Sequence, residues 1–138
     1  SANDFKGEDC KTILWLIRNH MKALDLRVMH SKYDIWKLVK HPLFKRLEKL
    51  ARADMQGTLN EAGIPDENFD DILSRNIVAN CIKNDMPAAI VQRSNFANKK
   101  WDDDKISMAV EMCHRMQING NVNNIDSLIR AAIRNLDS

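Results

Sequence analysis

Apolar residues in this 138-residue chain recur at intervals of three and four almost throughout, and runs that alternate apolar and polar in strand fashion do not occur. The pattern predicts a helix over 7–24, with acids in its first turn and Cys10, Ile13, Leu14, Ile17, Met21 and Leu24 on one face. Trp15 and Leu16 fall off that face, so this helix is expected to be central and covered on two sides. A second helix follows Ser31, an N-cap residue type, and carries Ile35, Trp36, Leu38 and Val39. His41-Pro42 interrupts it, and Pro42 opens a third helix with Leu43, Leu47 and Leu50 inward, ending near Gly57 or Gly63. Behind Pro65 a fourth stripe runs through Phe69, Ile72, Leu73, Ile77 and Cys81, with Asp66 and Glu67 at its positive end. Pro87 predicts a short helix, PAAIVQRS.

The next helix places Ile106, Ala109, Val110 and Cys113 inward and is stopped by Gly120 in the left-handed cap conformation. The last, with Ile125, Leu128, Ile129, Ala132, Ile133 and Leu136, has the cleanest stripe in the chain. Together these elements predict an all-α fold, a compact bundle of six or seven short helices forming a single helical domain over 1–138.

Composition refines this picture. The 44% apolar and 29% charged residues are those of a globular chain, and the longest apolar run, Ile13–Ile17, is far short of the ~20 residues that span a bilayer, so no membrane partner is expected. Cys10, Cys81 and Cys113 are dispersed and odd in number, which does not make a disulfide framework and favours a reducing interior, nucleus or cytoplasm. The net charge of +2 hides an asymmetry: residues 27–52 hold eight Lys or Arg against Asp34 and Glu48, a local +6, so the remainder sums to −4.

The sequence holds no recognisable catalytic or ligand-binding pattern. The four glycines form no phosphate cradle, no Cys-x-x-Cys occurs, and the four histidines never pair at i, i+4. The stretch DENFDDILSRNI starts like a calcium loop but has Asp71 where the turn needs glycine and Ile77 where the bidentate glutamate belongs. No enzyme, no cofactor and no metal site is therefore expected. The acid run Asp102–Asp104 falls at a helix start, where one residue caps free backbone N–H groups and the others suit the helix dipole.

Two surfaces remain as candidates for partner binding. The first is a basic helix face of Lys45, Lys49 and Arg52 at i, i+4, i+7, with Trp36, Lys37 and Lys40 just upstream, suited to an acidic peptide or to phosphates. The second is the methionine row Met108, Met112 and Met116 with nearby Trp101, since methionine adapts to irregular binding grooves. Arg93, Phe96, Lys99 and Lys100 join Trp101 in a polar loop whose aromatics and cations suit base stacking and phosphate contact.

Two short stretches resemble known families. MCHRMQINGNVNNIDSLIRAAIRN is similar to the junction between pentatricopeptide repeats, though the pattern does not recur about 35 residues upstream, where a repeat requires it. LVKHPLFKRLEKLA resembles part of the N-terminal helical-bundle domains of transcription elongation factors. Both imply helical structure, and neither brings functional residues with it. The expectation is a non-catalytic protein-interaction module offering an apolar groove, flanked by a basic helix face, to a short acidic or amphipathic segment of another protein. A small helical RNA- or DNA-binding domain is the alternative, and homodimerisation through the methionine row is a third reading.

Overall fold

The computed structural model describes residues 8–57 and 68–137, with side chains from 10–55 and 68–137. Among the described residues the regular structure is seven α-helices and one 3₁₀ turn, with no strand, the all-α class that the periodicity predicts. The chain divides into two compact units, Ser1–Asp85 and Met86–Ser138. Each has its own hydrophobic cluster.

The first unit contains α1 (Glu8–Asp25), α2 (Lys32–Val39), α3 (Phe44–Gly57), α4 (Phe69–Leu73) and α5 (Asn76–Lys83). Ala23, Leu26, Ile35, Leu38, Phe44, Leu47, Ala51, Phe69, Ile72, Val78 and Cys81 are buried together at its centre. Local chemistry starts two of these helices. Ser31 accepts the Asp34 N–H at 3.2 Å and Asn68 accepts the Asp70 N–H at 2.9 Å, each removing one orphan donor from a first turn. Ahead of α3, His41 stacks on Trp15 with ring centroids 4.0 Å apart, and its Nδ1 accepts the Leu43 N–H at 3.1 Å. Burial lowers the pKa of His41 below its ordinary value, in keeping with an Nδ1 that must stay unprotonated to accept.

The single stripe expected from Phe69 to Cys81 is two helices, broken at Ser74–Arg75. Arg75 leaves the helical region at ψ 135°, and its guanidinium donates to the carbonyls of Leu26 and Met29 in the segment that follows α1. The Ser74 hydroxyl donates back to the Asp71 carbonyl at 2.8 Å. A continuous helix would forgo that guanidinium bridge. The expected stop at Gly63 and start at Pro65, Asp66 and Glu67 lie outside the described residues.

The second unit holds a 3₁₀ turn (Arg93–Phe96), α6 (Asp103–Asn119) and α7 (Ile125–Asp137), with Val91, Phe96, Ala109, Cys113, Leu128 and Ala132 buried together. Asp102 caps α6 by accepting the Lys105 N–H at 2.8 Å, so the acid run does what helix-start chemistry predicts. The short helix expected at Pro87 does not form. That segment has no regular structure before the 3₁₀ turn, because its backbone is held by side chains of α6. Buried Gln117 accepts the Ile90 N–H at 3.1 Å and donates to the Ala88 carbonyl at 3.0 Å, and His114 Nε2 bonds the Pro87 carbonyl at 2.9 Å.

Gly120 ends α6 at φ −96°, outside the left-handed region; Asn121 takes the positive φ instead, at 52°. Glycine is required at 120 for space, since a Cβ there would lie 2.9 Å from the Met116 carbonyl oxygen.

Candidate functional site

Helix α1 buries a different face from the one its bulkiest residues suggest. The residues that face the core are Ala23 with Trp15, Leu16 and Leu24, and half-buried Thr12 and Asn19 lie along the line of Leu16 and Ala23. Ala23 has almost no side chain, which allows close packing of α1 in the unit's core. The larger stripe points outward: Leu14 is 51% exposed, Ile17 67% and Met21 62%. These residues lie at i, i+3 and i+7, on one side of the helix.

Where α1 meets α3 the stripe becomes one wall of a groove of about 320 Å³ lined by Ile13, Leu16, Ile17, His20 and Leu50. Leu50, 42% exposed, comes from α3, whose buried line is Phe44, Leu47 and Ala51. His20 and Asp54 close one side through a contact of 2.5 Å between Nε2 and Oδ2. The expected inward stripe of α1 is thus corrected for Leu14, Ile17 and Met21, and that of α3 for Leu50, all of which are exposed, while Leu24 packs against the core as expected.

Charge surrounds the apolar row. At about 100° per residue, Lys11, Arg18 and Lys22 follow Leu14 and Met21 on the side of α1 away from α3. On α3, Arg46 and Lys49 follow Leu50 away from α1. All five are exposed, and none makes an ion pair with the described residues. Among the described residues three acids stand near them in the chain: Asp54, engaged by His20, Glu48, engaged by Arg52, and exposed Asp25 at the end of α1.

The basic face anticipated from spacing has a mixed fate. Lys45 and Lys49 are exposed and make no ion pair with the described residues. Arg52 is committed internally: its guanidinium lies 2.5 Å from Asp70 and 3.4 Å from Glu48, over the Phe69 ring. The hydrogen bond from Arg52 holds the Asp70 carboxyl below its usual range. Trp36 packs against the core and donates its Nε1–H to the Asn84 carbonyl at 2.9 Å. Lys40 donates to the Ile82 carbonyl at 2.8 Å and lies 3.5 Å from Asp85, so both residues finish the C-terminal end of α5. Lys37 is exposed, with its ammonium 5.2 Å from the Tyr33 ring centre.

In the second unit Met112 and Met116 pack against the core, whereas Met108 is 57% exposed. The methionines are therefore not one continuous exposed row. Trp101 is half-buried, stacked 5.6 Å from fully buried Phe96, with Lys99 at 5.6 Å and Lys105 at 4.9 Å from its ring centre. Both lysines also reach Asp137, at 3.4 and 3.5 Å. Arg93 is taken up by Asp103 at 3.1 Å and by the Ser107 hydroxyl at 2.6 Å. Lys100 is exposed and forms no ion pair with the described residues. The loop is therefore pinned by its own aromatics and cations, and Phe96 presents no face to a nucleobase.

Among the described residues no three His, Cys, Asp or Glu side chains gather as a metal site would require, and no helix is long and apolar enough to cross a membrane. None of the cysteines is in a disulfide: Cys10 is exposed, and Cys81 and Cys113 are buried. Burial pushes the Cys113 thiol up to about 11, which leaves it a poor nucleophile. Compared with known proteins, the chain matches no protein family, no curated protein and no solved structure.

The residues that sequence reasoning missed as a site are Leu14, Ile17, Met21 and Leu50. A signal was present. Helix α1 carries apolar residues on two faces, and in a unit of short helices the face with Ala23 is the one that allows closest packing.

Proposed function

We propose that this chain is a non-catalytic protein-interaction module and that the α1/α3 groove is its docking surface. The observation that carries the reading is the contiguity of Leu14, Ile17 and Met21 with Leu50, each more than two-fifths exposed, around a groove floored by Ile13 and Leu16. Scattered apolar residues are ordinary on a protein surface, but a joined patch rimmed by charge is what binding sites expose. Covering what remains exposed of each of these side chains is worth about 1 kcal/mol, roughly half the value of burying one fully. The partner is another protein, engaged through a short acidic or amphipathic segment.

The nucleic-acid reading has less support. Phe96 is buried, and Arg93 and Lys99 are held by carboxylates of the same unit. Self-association through the methionine row is also weakened, since two of its three members pack into their own core.

The test is capture of partners from nuclease-treated lysate with three baits: the wild-type chain, Ile17→Glu and Met108→Glu. Met108 is about as exposed as Ile17 and lies in the other unit, which makes it the control. The expected result is a set of proteins retained by wild type and Met108→Glu and lost with Ile17→Glu. Retention by Ile17→Glu, or loss of all capture after nuclease treatment, would overturn the proposal.

A further inference from the structure

The groove also specifies the shape and charge of what enters it. We infer, resting on the docking proposal above, that its occupant is an amphipathic helix with acidic residues on both flanks of its apolar face. Three observations lead there.

The walls are themselves helices. Their backbone N–H and C=O groups are used internally, so the groove offers no edge with which an extended peptide could pair. An extended segment pressed onto Ile13, Ile17 and Leu50 would leave its own backbone groups unpaired against apolar side chains. A helix arrives with those groups already satisfied and presents only side chains. The length also fits: from Ile13 to Met21 the stripe covers about 12 Å of α1, a little over two turns of a partner helix.

Charge then selects the partner. Lys11, Arg18 and Lys22 form one bank and Arg46 and Lys49 the other, and these five cations make no ion pair with the described residues. Cations on both banks favour acids on both flanks of the incoming helix, and such complementarity chiefly sets encounter rate and register.

The same arrangement argues against a second copy of this chain. Two α1 stripes packed face to face would bring Lys11 and Lys22 of one copy beside those of the other, a like-charge juxtaposition.

The experiment uses the full chain with labelled Ile, Leu and Met methyl groups and three synthetic peptides of about 18 residues. The first is helical, with leucines at i, i+4, i+7 and i+11 and glutamates on both flanks. The second replaces every glutamate with lysine. The third keeps the glutamates but carries two central prolines, which break the helix. The glutamate peptide is expected to shift the Ile17, Met21 and Leu50 methyls and leave Met108 unmoved, with affinity falling as salt rises. The lysine and proline peptides should each bind at least tenfold more weakly. Arg18→Glu with Lys22→Glu should reverse the preference between the glutamate and lysine peptides, which separates a charge effect from a folding defect.

Equal affinity for the lysine peptide, or for the proline peptide, would overturn the acidic-helix inference and leave the groove as a docking surface. Concentration-dependent shifts of Ile17 and Met21 without peptide would overturn it in favour of a second copy. No shift at the groove with any of the three would overturn this inference and the docking proposal together.

Discussion

Gln117 is a single side chain on which the course of residues 87–92 depends, and Gln117→Leu isolates its contribution. The wild-type amide is 6% exposed and bridges the Ile90 N–H and the Ala88 carbonyl at 3.1 and 3.0 Å. Leucine is close to glutamine in volume, so the change removes two hydrogen bonds without opening a large cavity. The Ile90 N–H, half-buried, is left without its acceptor at a cost of about 1–3 kcal/mol. Ala88 is exposed, so water can replace its lost donor, and that bond adds at most about 1 kcal/mol. Better burial of an apolar side chain offsets roughly 1 kcal/mol. The net expectation is a loss of about 2 kcal/mol, a midpoint roughly 1 M lower in urea at a slope of about 2 kcal/mol/M. Equilibrium urea unfolding reads the energy, and hydrogen exchange of the Ile90 amide reads the cause. A change within about 0.5 kcal/mol, with Ile90 exchanging at the wild-type rate, would refute the view that Gln117 sets this segment's path.

Three further outcomes follow from the same geometry. His41 accepts the Leu43 N–H and has a lowered pKa through burial, so the folded state binds fewer protons than the unfolded one. Its share of stability is therefore complete above the unfolded value of 6.5 and is lost as pH falls through the folded value; a ring that titrates above 6.5 by NMR would contradict this. Gly120→Ala should destabilise by about 1–3 kcal/mol through the Met116 carbonyl clash, whereas Asn121→Gly should be neutral or slightly stabilising at φ 52°; thermal unfolding of the pair shows whether space or backbone freedom governs this turn. Under native conditions a thiol reagent should modify exposed Cys10 rapidly and reach Cys81 and Cys113 only on unfolding, and fast labelling of two or more sites would contradict the burial described.

What the sequence disclosed divides along the range of the interactions involved. Ser31 and Asp102 were legible as caps because capping is decided within three residues. The all-α class was legible because its period repeats along most of the chain. The break at Ser74–Arg75 was not, since it is set by carbonyls of Leu26 and Met29 far upstream. The segment after Pro87 was misread as helix for the same reason: its backbone partner, Gln117, comes from the next helix.

The groove failed differently. Periodicity puts Cys10, Ile13, Leu14, Ile17, Met21 and Leu24 on one face, of which Leu14, Ile17 and Met21 are exposed while Leu24 packs against the core. It could not say that α1 would turn Leu16 and Ala23 to the core, because that choice depends on how closely its neighbours approach. The basic face was partly legible: Lys45 and Lys49 stay exposed, but Arg52 is claimed by Asp70, which the chain brings in only through folding.

Whether the α1 stripe is a surface for a partner is decided by photocrosslinking inside cells. A photoreactive amino acid is placed at Ile17, at Leu50 and, as a control, at Met108, all of them exposed positions. The expected result is protein adducts of the same mass from positions 17 and 50, absent from 108 and abolished in the Ile17 probe by Leu14→Glu with Met21→Glu. No adduct from either groove position, or the same adducts from all three, would contradict it.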